Sequence, residues 1–117
     1  MSMILRPGGE ARRIEIAEGV VLVCLPMTTT AALAGASARH AWLEAHPDDQ
    51  EGAEVAFTRT VAQRTIVDWS GIVDADGADL PVTPEAVAAL VDLPMVYTEI
   101  KRQVVTPGLI LEHRKNA

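Results

Sequence analysis

From Arg13 to Leu25 the chain reads Arg-Ile-Glu-Ile-Ala-Glu-Gly-Val-Val-Leu-Val-Cys-Leu. Ile14 and Ile16 alternate with Arg13 and Glu15, the two-residue period of a strand with one apolar face. Val20 to Leu25 is apolar throughout, which predicts a strand covered on both faces. Between them Ala17-Glu18-Gly19 places a glycine where a tight turn requires positive φ, so the two runs predict a β-hairpin. Pro26 ends the second strand, because it has no N–H to give to a ladder.

The period then changes to three and four. Thr28-Thr29-Thr30 offers an N-cap, and the alanine- and leucine-rich stretch from Ala31 to about His46 predicts a helix. Ala31, Ala34, Ala38, Ala41, Trp42 and Ala45 share a face, with Arg39 and Glu44 pointing elsewhere. Pro47 stops it, since the residue before a proline is pushed out of helical geometry. Pro47 to Gly52 reads as an acidic connector. A second helix is predicted from Ala53 to Asp68, its face marked by Val55, Ala62, Ile66 and Trp69 with Phe57 and Val61 beside it. Residues 69–82 are rich in glycine, proline and aspartate and predict a structured turn or short hairpin between Ile72-Val73 and Leu80-Val82.

Thr83-Pro84-Glu85 is a helix start: Thr83 caps, proline suits the first helical position, and Glu85 faces the positive end of the dipole. Val87, Leu90 and Val91 point inward. Asp92-Leu93-Pro94 repeats the pattern with Asp92 as the cap of a fourth helix carrying Met95, Tyr97, Ile100 and Val104. Pro107-Gly108 is expected to end it. The fold class is therefore α+β: an N-terminal β-hairpin, then about four helices with a bend at 69–82. One domain is expected over 1–117, with 1–11 and 107–117 as flexible or partner-docked tails.

Composition narrows the function. At 49% hydrophobic and 22% charged residues the chain is globular. Aromatic residues are only 3%, so Trp42, Phe57, Trp69 and Tyr97 are expected to anchor a core otherwise built from Ala, Val, Leu and Ile. A core of such small pieces gains from burying a further face, which makes self-association an expectation. The net charge of −6 disfavours nucleic acid, whose affinity comes from Lys and Arg releasing counterions; Arg12-Arg13 and Arg114-Lys115 read as solvated charge at element ends. No run is apolar and long enough to cross a bilayer, and the N-terminus lacks a signal-type core, so the expected location is the cytoplasm. Cys24 stands alone in an apolar run, where it is expected to be a buried small hydrophobe.

The candidate chemistry is thin. Asp74-Ala75-Asp76-Gly77-Ala78-Asp79 has carboxylates around a glycine, as calcium would want. However, Gly77 comes too early for an EF-hand loop, and Pro81 and Pro84 stand before Glu85, the position of its last ligand. An aspartate-glycine turn is the preferred reading. His40, His46 and His113 lack the i,i+4 companion of a helical zinc site, and no local pattern joins them to Cys24 as a nucleophile and base. Gly8-Gly9 lacks the spacing and lysine of a P-loop. No enzyme activity, metal or cofactor is expected.

The segment from Trp69 to Glu85, with its Trp69, Gly71, Ile72-Val73 pair, Asp74-x-Asp76-Gly77 turn, Pro81 and capped helix, resembles the signature stretch of tail assembly chaperones and related small tail proteins of siphophages, prophages and gene transfer agents. The upstream order of hairpin, proline, threonines and alanine-rich helix is similar too, so the resemblance runs from Arg12 to Tyr97. It implies a helper that binds the tape measure protein, delivers it to tail tube subunits and self-associates, acting in the host bacterial cytoplasm. A structural tail or head–tail connector protein, or a small non-viral binding module, are the alternatives. Met95, Val96, Tyr97 and Ile100 are then either a client groove or core, and Trp69 either an interface anchor or the lid of the core; helical spacing and aromatic size favour core for both.

Overall fold

The computed structural model describes residues 10–109. Gly8-Gly9, His113, Arg114-Lys115 and the greater part of both expected tails lie outside the described residues. The elements are β1 (Arg12–Ala17), β2 (Val20–Cys24), α1 (Thr29–Ala45), α2 (Gln50–Thr65), β3 (Ile66–Ser70), α3 (Pro84–Val91) and α4 (Pro94–Ile100), which runs on into a π-helical turn, Lys101–Val105. The fold is α+β, a three-stranded antiparallel sheet in the order β1-β2-β3 beside the helices.

The hairpin forms at its expected place, with Gly19 at φ 78° in the turn. Ile14, Leu22, Cys24 and Ile66 turn one face of the sheet into the core, where they meet Phe57, Val61, Val87, Val91, Val96, Ile100 and Val104. The other face differs from expectation. Val21 and Val23 are only half-buried, flanked by exposed Arg13 and Glu15 on β1 and exposed Asp68 and Ser70 on β3. β2 is thus apolar on both faces with a helical cover on one, and the slab measures 49 × 43 × 20 Å, two layers deep.

β3 is the largest correction. Ile66 and Trp69 do not extend the second helix; the helix stops at Thr65, and Ile66–Ser70 pairs with β2 through Leu22↔Trp69 and Cys24↔Ile66. The β-branched run Thr65-Ile66-Val67 favours this, and β2 supplies the ladder that the lone segment lacks. The start of that helix also shifts. It begins at Gln50, because Asp49 is its N-cap, accepting from Gly52 N at 2.9 Å. The second half of the acidic connector, from Gln50 to Gly52, is therefore the first turn of α2.

α1 is capped by Thr28, whose Oγ1 accepts from Ala31 N at 3.1 Å. It leans on α2, and small residues allow the approach. A Cβ on Gly35 would stand 2.8 Å from Phe57 Cδ2 and 3.1 Å from Val61 Cγ2. Arg39, expected to point away, lies over the Phe57 ring at 4.3 Å and pairs with Glu54 at 3.0 Å; its long stem covers the aromatic face while its head reaches the carboxylate. Gly35→Val is expected to lower stability by about 1–3 kcal/mol, since an overpacked crossing must splay. A urea melt checks it, and an unchanged midpoint would mean that α1 does not sit in this groove.

The corner joining α1 to α2 turns on one carboxylate. Asp49 accepts from Trp42 Nε1 at 3.0 Å as well as from Gly52 N, and the Trp42 ring stacks on His46 at 4.3 Å. Gly52 must be glycine here, because a Cβ would run into Asp49 Oδ2 and the Trp42 indole. Bonding to Gly52 N–H first, then to Trp42, holds the Asp49 carboxyl below its ordinary value. A depressed folded pKa gives stability that is present above the unfolded value and lost as pH falls through the folded one. Stability is therefore expected to decline as pH drops below about 4, and Asp49→Asn is expected to flatten part of that decline, since its single carbonyl oxygen cannot serve both donors. Melts at pH 7, 4 and 3 decide it. The rest of the slope has another source in Glu99, whose carboxyl is lowered by Gln103 and Arg102.

The C-terminal helix departs from expectation as well. It passes through Pro107 to residue 109 instead of ending there. A proline inside a helix gives no N–H and crowds the carbonyl four residues back. The π-helical turn just upstream, where Thr106 N reaches Lys101 O, is the irregularity that accommodates it. Gln103 O, which Pro107 cannot serve, accepts instead from Arg12 Nη1 at 3.3 Å. Arg12 therefore ties β1 to this helix and is not merely solvated charge.

Candidate functional site

The bend after β3 is built from its smallest residues upward. Gly71 has φ 81° and lies against the hairpin turn: a Cβ there would strike the Gly19 carbonyl and stand 3.2 Å from Val20 Cα. Two positive-φ glycines thus meet where β3 leaves the sheet. The chain then folds into a small hairpin, with Leu80 N bonded to Ile72 O, Asp74 N to Ala78 O and Gly77 N to Asp74 O. Asp74 Oδ1 accepts from Asp76 N at 2.8 Å and Ala78 N at 3.1 Å, and Gly77, at φ 83°, closes the turn. The Asp74 carboxylate is thus engaged in shaping backbone. Asp76 contributes its amide to that turn.

Trp69 fixes the bend to the body. Its Nε1 donates to Leu80 O at 2.7 Å while its ring packs, half-buried, on the core. Between β3 and the returning arm lies a cleft of about 290 Å³ lined by Trp69, Ile72, Leu80, Pro81, Asp68 and Asp79, among others. Asp68 Oδ1 accepts from Trp69 N at 2.8 Å. Trp69 is therefore both the lid of the core and a wall of the cleft, two roles that helical spacing could not bring together.

The α4 residues separate. Val96 and Ile100 are 2% and 0% exposed and belong to the core; Tyr97 packs against it half-buried; Met95 is 53% exposed. The four do not share one exposed surface in this structure, because α4 turns the face bearing Val96 and Ile100 inward. Thr83 Oγ1 accepts from Ala86 N at 3.1 Å at the head of α3. Asp92, expected to cap α4, instead ends α3 and pairs with Arg59 at 3.0 Å; Leu93 holds the cap position with no side-chain bond. The nearby Arg59 cation outcompetes a backbone amide for that carboxylate.

The remaining titratable candidates stand apart. Cys24 is in the core, burial pushing its thiol up to about 11, whereas His40 and His46 are exposed on and just beyond α1, His40 paired with Glu44 at 3.1 Å. Among the described residues no three His, Cys, Asp or Glu gather where they would hold a metal ion, and no helix is long and apolar enough to cross a membrane. What sequence reasoning missed is the outer side of α1. This helix packs chiefly on α2 and leaves Leu33 66% exposed among Thr30, Ala36, Ser37 and Ala41, all exposed. The run of alanines carries the signal, because a helix with apolar residues beyond one stripe has a face to spare.

A family profile described as "YdaY prophage protein" matches residues 29–108, roughly two thirds of the chain. The match spans α1 to Gly108 and so includes the bend and its cleft. No curated protein and no solved structure matches the chain.

Proposed function

The chain belongs to the YdaY prophage protein family, and from that premise we propose that it is a tail assembly chaperone, holding the tape measure protein and presenting it to tail tube subunits. The observation that carries this reading is the α1–α2 pair, whose outer side offers Leu33 and small residues to solvent. Such a surface accepts the apolar stripe of an amphipathic helix, the form in which a long helical client exposes itself. Exposed Leu93 and Met95 at the α3–α4 junction add further contact area. The work is stoichiometric covering without a catalytic step, and self-association shields the same surfaces when no client is present.

Co-expression with the tape measure protein of the same prophage is the test. The client is expected to become soluble and to co-purify, and Leu33→Asp is expected to lose it while melting like the parent. A client that stays insoluble beside the parent chain refutes the reading. Mass spectrometry of finished particles is expected to find no copies of the chain; abundant copies would make it a structural tail component instead.

A further inference from the structure

We propose that the cleft beside β3 receives a lysine or arginine side chain from a partner protein. Three observations carry this. First, the cleft has one aromatic wall, the half-buried Trp69 ring, held in place by its Nε1 bond to Leu80 O at 2.7 Å; a cation over an indole face is the strongest of the cation–π pairs. Second, its charged lining residues are Asp68 and Asp79, with no Lys, Arg or His among the residues lining it. Asp79 has no side-chain partner among the described residues, and Asp68 uses Oδ1 on Trp69 N. The lining is therefore negative, and its complement is a cation. Third, about 290 Å³ is room for one long side chain and too little for a folded element.

The arm that shapes the cleft supports the same conclusion. Residues 73–79 are all exposed, yet the arm is held by the hydrogen bonds around Asp74 and by Leu80 N to Ile72 O. Its ends, Ile72 and Val82, pack on the core, whereas residues 73–79 do not, so the ordering of the tip serves the surface it presents. A lining of Trp69, Ile72, Pro81 and two aspartates suits the aliphatic stem and charged head of a lysine or arginine, whereas a free metal ion would want more oxygens.

This inference deepens the client-holding reading by naming the chemistry of one contact, and its test does not depend on the client. The 15N-labelled chain is titrated with the peptide acetyl-Gly-Val-Arg-Val-amide and with its norleucine and glutamate analogues. The arginine peptide is expected to shift the Trp69 indole and the Ser70, Ile72 and Leu80 amides with a Kd on the order of 1 mM, leaving the Trp42 indole in place. Asp68→Asn with Asp79→Asn is expected to weaken it at least about fivefold; asparagine keeps the acceptor for Trp69 N, and an unchanged melt confirms the fold. No shift at 10-fold excess over about 1 mM, equal shifts with the norleucine peptide, or unaltered binding by the double variant overturns the proposal. Shifts of the same signals on diluting the protein alone also overturn it, because they assign the cleft to a second copy. If the peptide binds while the tape measure protein does not co-purify, the chaperone reading falls and the cleft stands.

Discussion

Gly71→Ala is expected to lower stability by about 2–5 kcal/mol, a large share of what a domain of this size possesses. Two costs add. At φ 81° an L-residue carries about 1–2 kcal/mol of left-handed strain. The new methyl would also enter the Gly19 carbonyl, and relieving that overlap by backbone movement costs about 1–3 kcal/mol more. Gly77→Ala separates the terms, because Gly77 has nearly the same φ, 83°, and nothing within 4 Å of the added Cβ. It is expected to lose only the strain. Urea unfolding of both variants reads the difference, and equal midpoints would mean that the bend does not lie on the hairpin turn.

That contact could not be read from spacing. The resemblance and the turn residues marked Gly71 and Gly77 alike as bend formers, but only the return of β3 to β2 brings Gly71 against Gly19, some fifty residues earlier in the chain. Local signals did carry the hairpin and the helices starting at Thr28 and Thr83, where alternation, caps and prolines act within a few residues. They failed at β3, because Ala62, Ile66 and Trp69 fall at helical spacing and the segment becomes a strand only when β2 is beside it. They failed again at Asp49, where a charge in an acidic run proves to be a cap shared with Trp42. The cleft was legible only in part: Trp69 and the aspartates stood out, but their convergence with Asp68 and Pro81 depends on how the small hairpin folds back.

With 3% aromatic residues, the chain packs closely at its glycines, the Gly35 backbone against the Phe57 ring and the Gly71 backbone against that of Gly19. Small side chains that helical spacing would assign to the core, such as Ala41 and Ala45 of α1, are left facing water. Under the proposed reading, a thin two-layer body with apolar residues to spare would gain from covering a client.

Ile100→Ala and Met95→Ala, taken together, divide fold from function on a single helix. Ile100 is 0% exposed and lies in the central cluster with Val91, Val96 and Val104. Its truncation is expected to cost about 3–5 kcal/mol, the upper part of the range for buried aliphatics, because the sheet and α2 both fix the walls of the cavity left behind. Met95 is 53% exposed, and its truncation is expected to move stability by no more than about 0.5 kcal/mol. If Met95 is part of the client surface, the same variant reduces client solubilisation at an unchanged melt, as an adaptable thioether contact would. Thermal unfolding and co-expression of the two variants side by side give both readouts. A Met95 variant as unstable as the Ile100 variant would mean that α4 is rotated about its axis from the position described, and Leu93 and Met95 would leave the proposed surface with it.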